Sequence, residues 1–300
     1  MSNKALASGD NSDIKDLRGF PQSPNTPNLG NDYPEGTNEQ GPFDLCMDPG
    51  ETKTAEKLMD EAKQLLQHHA VSTNDYKLHH KHDEDSIQYS KKHGNTIIYK
   101  FNHKIKYPDK YNDIIDMLWN PNVKYADDKN IKEKVVCEYS PNLMMIQHRY
   151  KNDYIFLHGY YYALAKKIKV SDDTTIIVYT SSDIDDHNSV DKKKYTNTIV
   201  ESANLFKPKI YSEKDIRNGE LTKMFVNLSG YIIQKKKDYV DITYLDSINI
   251  NKPMFEELLI GIVHSSQILN ILSDLFCLSF FLFGSFFEFQ IMNTNLFLEL

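Results

Sequence analysis

The sequence predicts an α+β fold on three observations. Apolar residues at helical spacing begin at Ala55, short runs rich in Val, Ile, Tyr and Thr fill the middle of the chain, and a broad apolar helical face follows Pro253. Consecutive strand-like runs without helices between them are typical of antiparallel sheets. We therefore expect helix, strands, helix, many antiparallel strands and one long helix, with the helices covering one side of a curved sheet.

The N-terminal part contains a predicted disordered segment followed by helices and strands. Residues 1–51 hold six of the 11 prolines and few aliphatic residues, so they cannot bury enough surface to offset the entropy of ordering. Apolar side chains at three- and four-residue spacing then predict a helix over residues 52–70. Strands are predicted at 86–91 and 96–105, and Pro108 marks the first turn of a second helix.

The rest of the chain is mostly strand, and it ends in a helix. Runs rich in β-branched and aromatic residues predict six more strands, at 131–139, 142–151, 159–169, 174–181, 222–234 and 238–248. The mostly polar section 182–221 predicts a long connection with a short helix. A broad apolar face over 253–276 predicts the final helix, which at ~1.5 Å per residue extends ~36 Å.

Composition and missing motifs exclude several classes of function. The formal net charge of −7 argues against a general nucleic-acid binder. The three cysteines are far apart, so no disulfide framework is expected, and the N-terminus lacks the apolar run of a secretory leader. No phosphate loop, nucleophile elbow or zinc-binding histidine pair occurs, so we expect neither an enzyme nor a cofactor.

Two unusual segments have simple interpretations. Five histidines lie between His68 and His82, but their spacing matches no closed set of metal ligands, so a solvated connection is expected. The charge-free run Leu275–Phe287 has 13 residues, whereas a membrane-spanning helix needs ~20. This run belongs to a Phe-rich tail, 276–300, which we treat as separate from the folded domain.

Five segments, in order, resemble the START domain, the steroidogenic-acute-regulatory-related lipid-transfer fold. They are "YNDIIDMLWNPN" from Tyr111, "NLMMIQHRYK" from Asn142, "YYYALAKKIKV" from Tyr160, "TTIIVYTSS" from Thr174 and "VDITYLDSINI" from Val240. The resemblance covers residues 52–275 and is strongest to the fam-a multigene family of malaria parasites. Members of that family usually begin with a secretory signal, and the N-terminus of this chain departs from that pattern. The tail 276–300 is a second departure from the family pattern.

The resemblance implies a helix-grip fold, in which a curved antiparallel sheet surrounds a long C-terminal helix and an internal lipid tunnel lies between them. It implies a monomer that binds one phospholipid, with phosphatidylcholine as the predicted ligand. The protein would move this lipid between membranes through transient membrane contact and without covalent chemistry. It would not bind nucleic acid. Secretion, with export to a host cell, is the location that the resemblance suggests.

The resemblance also implies where the headgroup lies. Choline-binding START proteins line this place with tyrosines, whose ring faces attract a quaternary cation, and their pattern puts Tyr161 and Tyr244 at matching positions. Ile146, Ser229 and Asp116 stand where such proteins have a further aromatic ring, a longer amide and a basic residue. Strand alternation completes the predicted lipid-binding set, which is Met144, Ile146, His148, Tyr161, Ala163, Asn227, Ser229, Ile242 and Tyr244, with Leu258 and Ile262 from the final helix.

Three alternatives accompany this interpretation. Arg149 falls on the opposite face of its strand, but a one-residue slip in register would turn it inward, where it could hold a phosphate bidentately. A host-interaction or antigenic module without transfer activity would use the same scaffold. A hydrolase or cyclase on this scaffold would need a carboxylate beside His148, and the sequence patterns place none there.

Overall fold

The computed structural model of the chain describes residues 48–81, 86–120, 131–152 and 157–250. Most of the N-terminal segment 1–51, the predicted helix 253–276 and the tail 276–300 lie outside these residues. The described part begins with helix α1, Pro49–Val71, slightly before the predicted start at residue 52. The Asp48 side chain accepts a hydrogen bond from the backbone N–H of Gly50 at 2.8 Å, and Pro at the first helical position supports this start.

Nine strands form one curved antiparallel sheet, as predicted. Their order is β1-β2-β3-β9-β8-β7-β6-β5-β4, so β9 lies beside β3, and β1 and β4 are the edges. The strands are β1 Lys77–Lys81, β2 Ser86–His93, β3 Thr96–Ile105, β4 Ile131–Ser140, β5 Leu143–Asn152, β6 Leu157–Ser171, β7 Thr174–Thr180, β8 Thr222–Lys235 and β9 Val240–Ile250. Because β6 and β8 are longer than β7, they also pair directly, in parallel, at Gly159 and Thr222.

The other described helices are short. A 3-10 turn, Pro108–Lys110, leads into α2, Tyr111–Trp119, which confirms the helix predicted after Pro108. The connection between β7 and β8 contains a 3-10 turn, Glu201–Leu205, and the single-turn helix α3, Lys214–Arg217. Among the described residues, no helix has both the length and the apolar character needed to cross a membrane.

The two main helices pack on opposite faces of the sheet, which corrects the prediction that helices cover one side. The apolar side chains of α1 pack on one face, together with Tyr162 and Leu164 of β6. Those of α2 pack on the other face, together with Ala163 and Ala165. Successive residues of a strand point to opposite faces, so each strand supplies both layers. We call these the α1 face and the α2 face.

Gly230 shows how closely α1 approaches the sheet. Its backbone has a φ of +155°, and an added Cβ would lie 2.3 Å from the carbonyl oxygen of Ile177 and 3.1 Å from the Leu66 side chain of α1. Only glycine accepts that combination of backbone angle and contact without strain.

Two features differ from expectation. The histidine-rich segment was predicted to be a solvated connection, but Lys77–Lys81 forms the edge strand β1, which pairs with β2. Its polar sequence gave no strand signal, because backbone pairing at an edge needs no apolar side chains. The sequence also predicted no disulfide framework, whereas Cys137 on β4 is disulfide-bonded.

Candidate functional site

Most of the predicted lipid-binding residues meet on the α2 face. Five of them belong to one buried apolar cluster there, and the partly buried Tyr161 packs against it; the five are Met144, Ile146, Ala163, Ile242 and Tyr244. The antiparallel register of β5 and β6 explains this grouping, since Ile146 lies opposite Ala163 and His148 lies opposite Tyr161. Whether this face binds lipid stays a prediction at this point. Leu258 and Ile262 lie outside the described residues.

The structure settles the register of Arg149. Its guanidinium lies on the α1 face, where Nη1 is 2.7 Å from a carboxylate oxygen of Asp215 and Nη2 is 3.1 Å from one of Glu213. Its Nε also donates a hydrogen bond to Gln147 at 3.0 Å. The one-residue slip is therefore wrong, and Arg149 contributes no charge to the α2 face. Asp116 occupies the position at which the resemblance implies a basic residue that contacts phosphate. Its side chain is exposed on α2.

Asn227 departs from the predicted alternation. A β-bulge in β8 shifts the register between Val226 and Leu228, so that Val226 joins the α2 face and Leu228 joins the α1 face. The Asn227 side-chain amide donates a hydrogen bond to Thr96 Oγ1 at 3.4 Å, and Thr96 shares the α1 face with Ile98. Simple period-two counting through β8 could not reveal the extra residue of the bulge.

One polar group of the α2 face pairs Glu133 with His148. The Nδ1 atom of His148 lies 3.1 Å from Oε2 of Glu133, and both side chains are buried. The His148 ring stacks on that of Tyr161, with 4.7 Å between centroids. Glu133 was not among the predicted site residues, although it is two residues beyond Ile131 and two before Val135, which both contact this face. Because alternate residues of a strand share a face, this spacing in the sequence could have placed Glu133 on the α2 face.

A second polar group on this face contains Asp246, Ser229 and Tyr244. Asp246 is 2% exposed, and its Oδ1 has no hydrogen-bond partner among the described residues. Burial raises its pKa from 3.8 to about 7, while hydrogen bonding with Ser229 and Tyr244 acts in the opposite direction. Ser229 and Tyr244 are predicted site residues, whereas Asp246 is not. Asp246 lies between Tyr244 and Ile248 in the same alternation.

Aromatic rings surround this second group. The ring of Tyr244 lies between Phe101 of β3 and Tyr231 of β8, which are its direct neighbours across the sheet, at centroid distances of 5.8 and 4.6 Å. Burial raises the pKa values of Tyr161, Tyr231 and Tyr244 well above 10. These phenols are therefore neutral at physiological pH, and they offer hydroxyl groups rather than charges.

Small side chains lie between the two polar groups. Tyr161, Ala163 and Ala165 follow one another on the α2 face of β6, and Ala165 pairs with Tyr179, which in turn pairs with Ser229. The path from the Glu133–His148 pair to Asp246 thus crosses Ala163, Ala165, the ring of Tyr179 and Ser229. The arrangement provides an apolar surface with a polar group at each end. Such a surface suits an elongated amphipathic molecule.

No metal centre is visible in the described part of the chain. Across residues 48–81, 86–120, 131–152 and 157–250, no three His, Cys, Asp or Glu side chains are placed to hold an ion together. On α1, burial lowers the pKa of His69 to about 4, and the nearby His68 and His93 add to the effect. The Nδ1 atom of His69 and the Tyr76 hydroxyl form a hydrogen bond of 3.2 Å. This histidine therefore contributes to packing on the α1 face.

The fold has known counterparts, although no protein-family model and no curated protein sequence matches the chain. The structure is similar to the crystal structure of human STARD10, with a TM-score of 0.51 and 11% identity over 70% of this chain and 78% of that one. It is also similar to human StAR-related lipid transfer protein 5, with a TM-score of 0.50 and 9% identity over 73% and 92% of the two chains. At such low identity the likeness shows the START fold alone.

Proposed function

We propose that this protein binds one lipid molecule on the α2 face of its sheet and carries it between membranes. The observation that supports the proposal most directly is the composition of that face. It combines a large buried apolar cluster with polar groups at two places, Glu133–His148 and Asp246–Ser229–Tyr244. A lipid has the same division between apolar chains and one polar end.

The energetics of such a site fit transfer better than storage. Each buried methylene gains ~0.8 kcal/mol on leaving water, but a bilayer provides the same gain. Exchange of the acyl chains between membrane and protein is therefore close to neutral. The polar end must decide which lipid is carried, because an unmade buried hydrogen bond costs more than a missing apolar contact.

Phosphatidylcholine is the headgroup that the sequence predicts, through Tyr161 and Tyr244. A choline cage requires open ring faces. One face of Tyr161 is stacked on His148, and Tyr244 lies between Phe101 and Tyr231. The choline prediction therefore depends on the other face of the Tyr161 ring and on the hydroxyl groups of the two tyrosines. It stays a prediction that a transfer assay must test.

The remaining predictions concern the family, the location, the oligomeric state and the membrane contact of the protein. The sequence resemblance predicts membership of the fam-a family, secretion with export to a host cell, a monomeric state and transient membrane contact. All four stay predictions. The alternative of a host-interaction or antigenic module without transfer activity also stays a prediction. The function that we propose is a carrier that acts by binding and release.

An enzymatic role has one observation in its favour. No carboxylate was predicted beside His148, but the Glu133 carboxylate lies 3.1 Å from its Nδ1 atom. A hydrolase would also need an activated nucleophile or water at this pair. We propose that the protein is not an enzyme, and incubation of ester-containing lipids with the protein should yield no fatty acid.

The proposed function can be tested by filling the lipid-binding face. Ala163→Phe adds a ring to the small surface between the two polar groups, at a residue that is fully buried. Liposome-to-liposome transfer of a fluorescent phospholipid should fall at least about ten-fold, because the added ring occupies space that the lipid needs. The full chain is used throughout.

The control is Ala203→Phe, which introduces the same ring into the buried cluster on the α1 face. Both substitutions overpack a buried site, so a loss caused only by lower stability would appear in both variants. The proposal requires that transfer per folded molecule falls for Ala163→Phe and not for Ala203→Phe. If the wild-type chain transfers no lipid of any class, the proposed function is wrong.

A further inference from the structure

Asp246 is the least expected residue on the α2 face. It pairs across the sheet with Tyr99 of β3 and Ser229 of β8, in the interior of the sheet rather than at an edge. Its neighbours in the same alternation of β9, Tyr244 and Ile248, both belong to the apolar cluster. A carboxyl group in such surroundings disfavours folding unless each of its oxygens finds a donor.

The donors present satisfy this carboxyl only in part. Hydrogen bonding with Ser229 and Tyr244 favours its ionised form, but Oδ1 has no hydrogen-bond partner among the described residues. No Lys, Arg or His side chain of the described part is among the groups that act on its pKa. The cationic Arg149 is engaged on the other face of the sheet. One acceptor position of Asp246 is therefore unused.

The aromatic residues around Asp246 make contacts mainly with one another. The ring of Tyr244 packs between those of Phe101 and Tyr231, so the aromatic neighbours stabilise one another by ring contacts. What this part of the face offers to a ligand is an acceptor oxygen rather than an open aromatic surface. An acceptor of this kind is matched by an O–H or N–H group.

We propose that Oδ1 of Asp246 accepts a hydrogen bond from the polar end of the bound lipid, so that the protein prefers lipids whose polar end carries an O–H or N–H donor. This inference rests on the proposed function and adds the chemical class of the ligand to it. An amine headgroup and a lipid hydroxyl both supply such a donor. The quaternary ammonium of choline carries none, so choline lipids lack this interaction.

The test compares lipids that differ only in this donor. Purified full-length protein is assayed for transfer of phosphatidylethanolamine and phosphatidylcholine with identical acyl chains, which isolates the amine. A sterol and its 3-methyl ether form the second pair, which isolates the hydroxyl. We expect the wild-type chain to favour the donor-bearing member of at least one pair roughly ten-fold, equivalent to about 1.4 kcal/mol.

Two variants and one matched control connect the preference to Asp246. Asp246→Leu removes the acceptor while keeping similar size, and Asp246→Asn keeps an acceptor but removes the charge. Asp241→Asn is the control, because it makes the same change on the same strand but lies between two residues of the α2 face and therefore points to the α1 face. We expect Asp246→Leu to abolish the preference, Asp246→Asn to reduce it and Asp241→Asn to leave it unchanged.

The outcomes separate the two proposals. If lipid moves but the wild type shows no preference within either pair, the role of Asp246 is wrong and the proposed function stands. The role of Asp246 is also wrong if folded Asp246→Leu and Asp246→Asn both retain the full preference. If no lipid moves at all, the proposed function is wrong, and the inference is overturned with it.

Discussion

Replacing Asp246 by Asn should change the pH dependence of stability in a defined way. Burial raises the pKa of this carboxyl from 3.8 to about 7 in the folded chain. Between these two pH values the unfolded chain has released the proton while the folded chain still holds it. Stability contributed by this group therefore falls as pH rises from about 4 to about 7, and it is constant above that range.

The size of the effect follows from the shift in pKa. Each unit corresponds to about 1.4 kcal/mol, so a shift of roughly three units makes the ionised carboxylate cost about 4 kcal/mol above pH 7. The tyrosines that interact electrostatically with Asp246, namely Tyr161, Tyr231 and Tyr244, have pKa values well above 10 and do not titrate in this range. Asp246→Asn removes the titration while keeping the shape of the side chain. The variant should therefore be more stable than the wild type by up to about 4 kcal/mol at pH 8 and nearly equal to it at pH 4.

Urea unfolding of lipid-free protein at five pH values from 4 to 8 measures this difference. The single tryptophan, Trp119 at the end of α2, packs against the α2 face and provides the fluorescence signal. Other groups titrate over the same range, but they cancel in the difference between the two proteins. Asp173→Asn is the control for the substitution itself, because it makes the same chemical change at an exposed turn. A pH-independent difference for Asp246→Asn would show that burial does not raise the pKa of this carboxyl.

Two further predictions concern the α1 face. Arg149→Leu removes the ion pairs with Asp215 and Glu213, whose side chains are partly exposed. The free energy of unfolding, measured by urea titration, should therefore fall by about 1 kcal/mol. Lipid transfer per folded molecule should be unchanged. A loss of transfer would place Arg149 at the ligand. Gly230→Ala brings a Cβ within 2.3 Å of the Ile177 carbonyl oxygen, so thermal unfolding should show a loss of about 3 kcal/mol. An unchanged melting temperature would mean that β7 and β8 accommodate the added Cβ without cost.

The main elements could be predicted from the sequence because their side chains carry the pattern. The run from Thr96 to Ile105 and the helix after Pro108 match their predicted positions, and the apolar face of α1 matches as well. The strand β1 could not be predicted, because its pairing is backbone pairing at an edge. The placement of α1 and α2 on opposite faces also requires tertiary information, since both helices show the same kind of apolar stripe.

The candidate site was predictable in its apolar part and less so in its polar part. Counting by two along β5, β6 and β9 correctly groups Ile146, Ala163 and Ile242 on one face. The same counting fails at Asn227, because a bulge adds a residue that no composition signal marks. Glu133 and Asp246 lie on predicted strands in the correct alternation, yet buried carboxylates run against the expectation that inward positions are apolar. Such exceptions to the pattern are where a functional site is expected.

Native mass spectrometry of the purified protein, followed by extraction and identification of any bound lipid, shows whether the chain is a lipid carrier. We expect a complex of one chain with one lipid, and a lipid whose polar end carries an O–H or N–H donor. A protein that is isolated empty, and that also fails to take up any lipid from mixed vesicles, would rule out the proposed function.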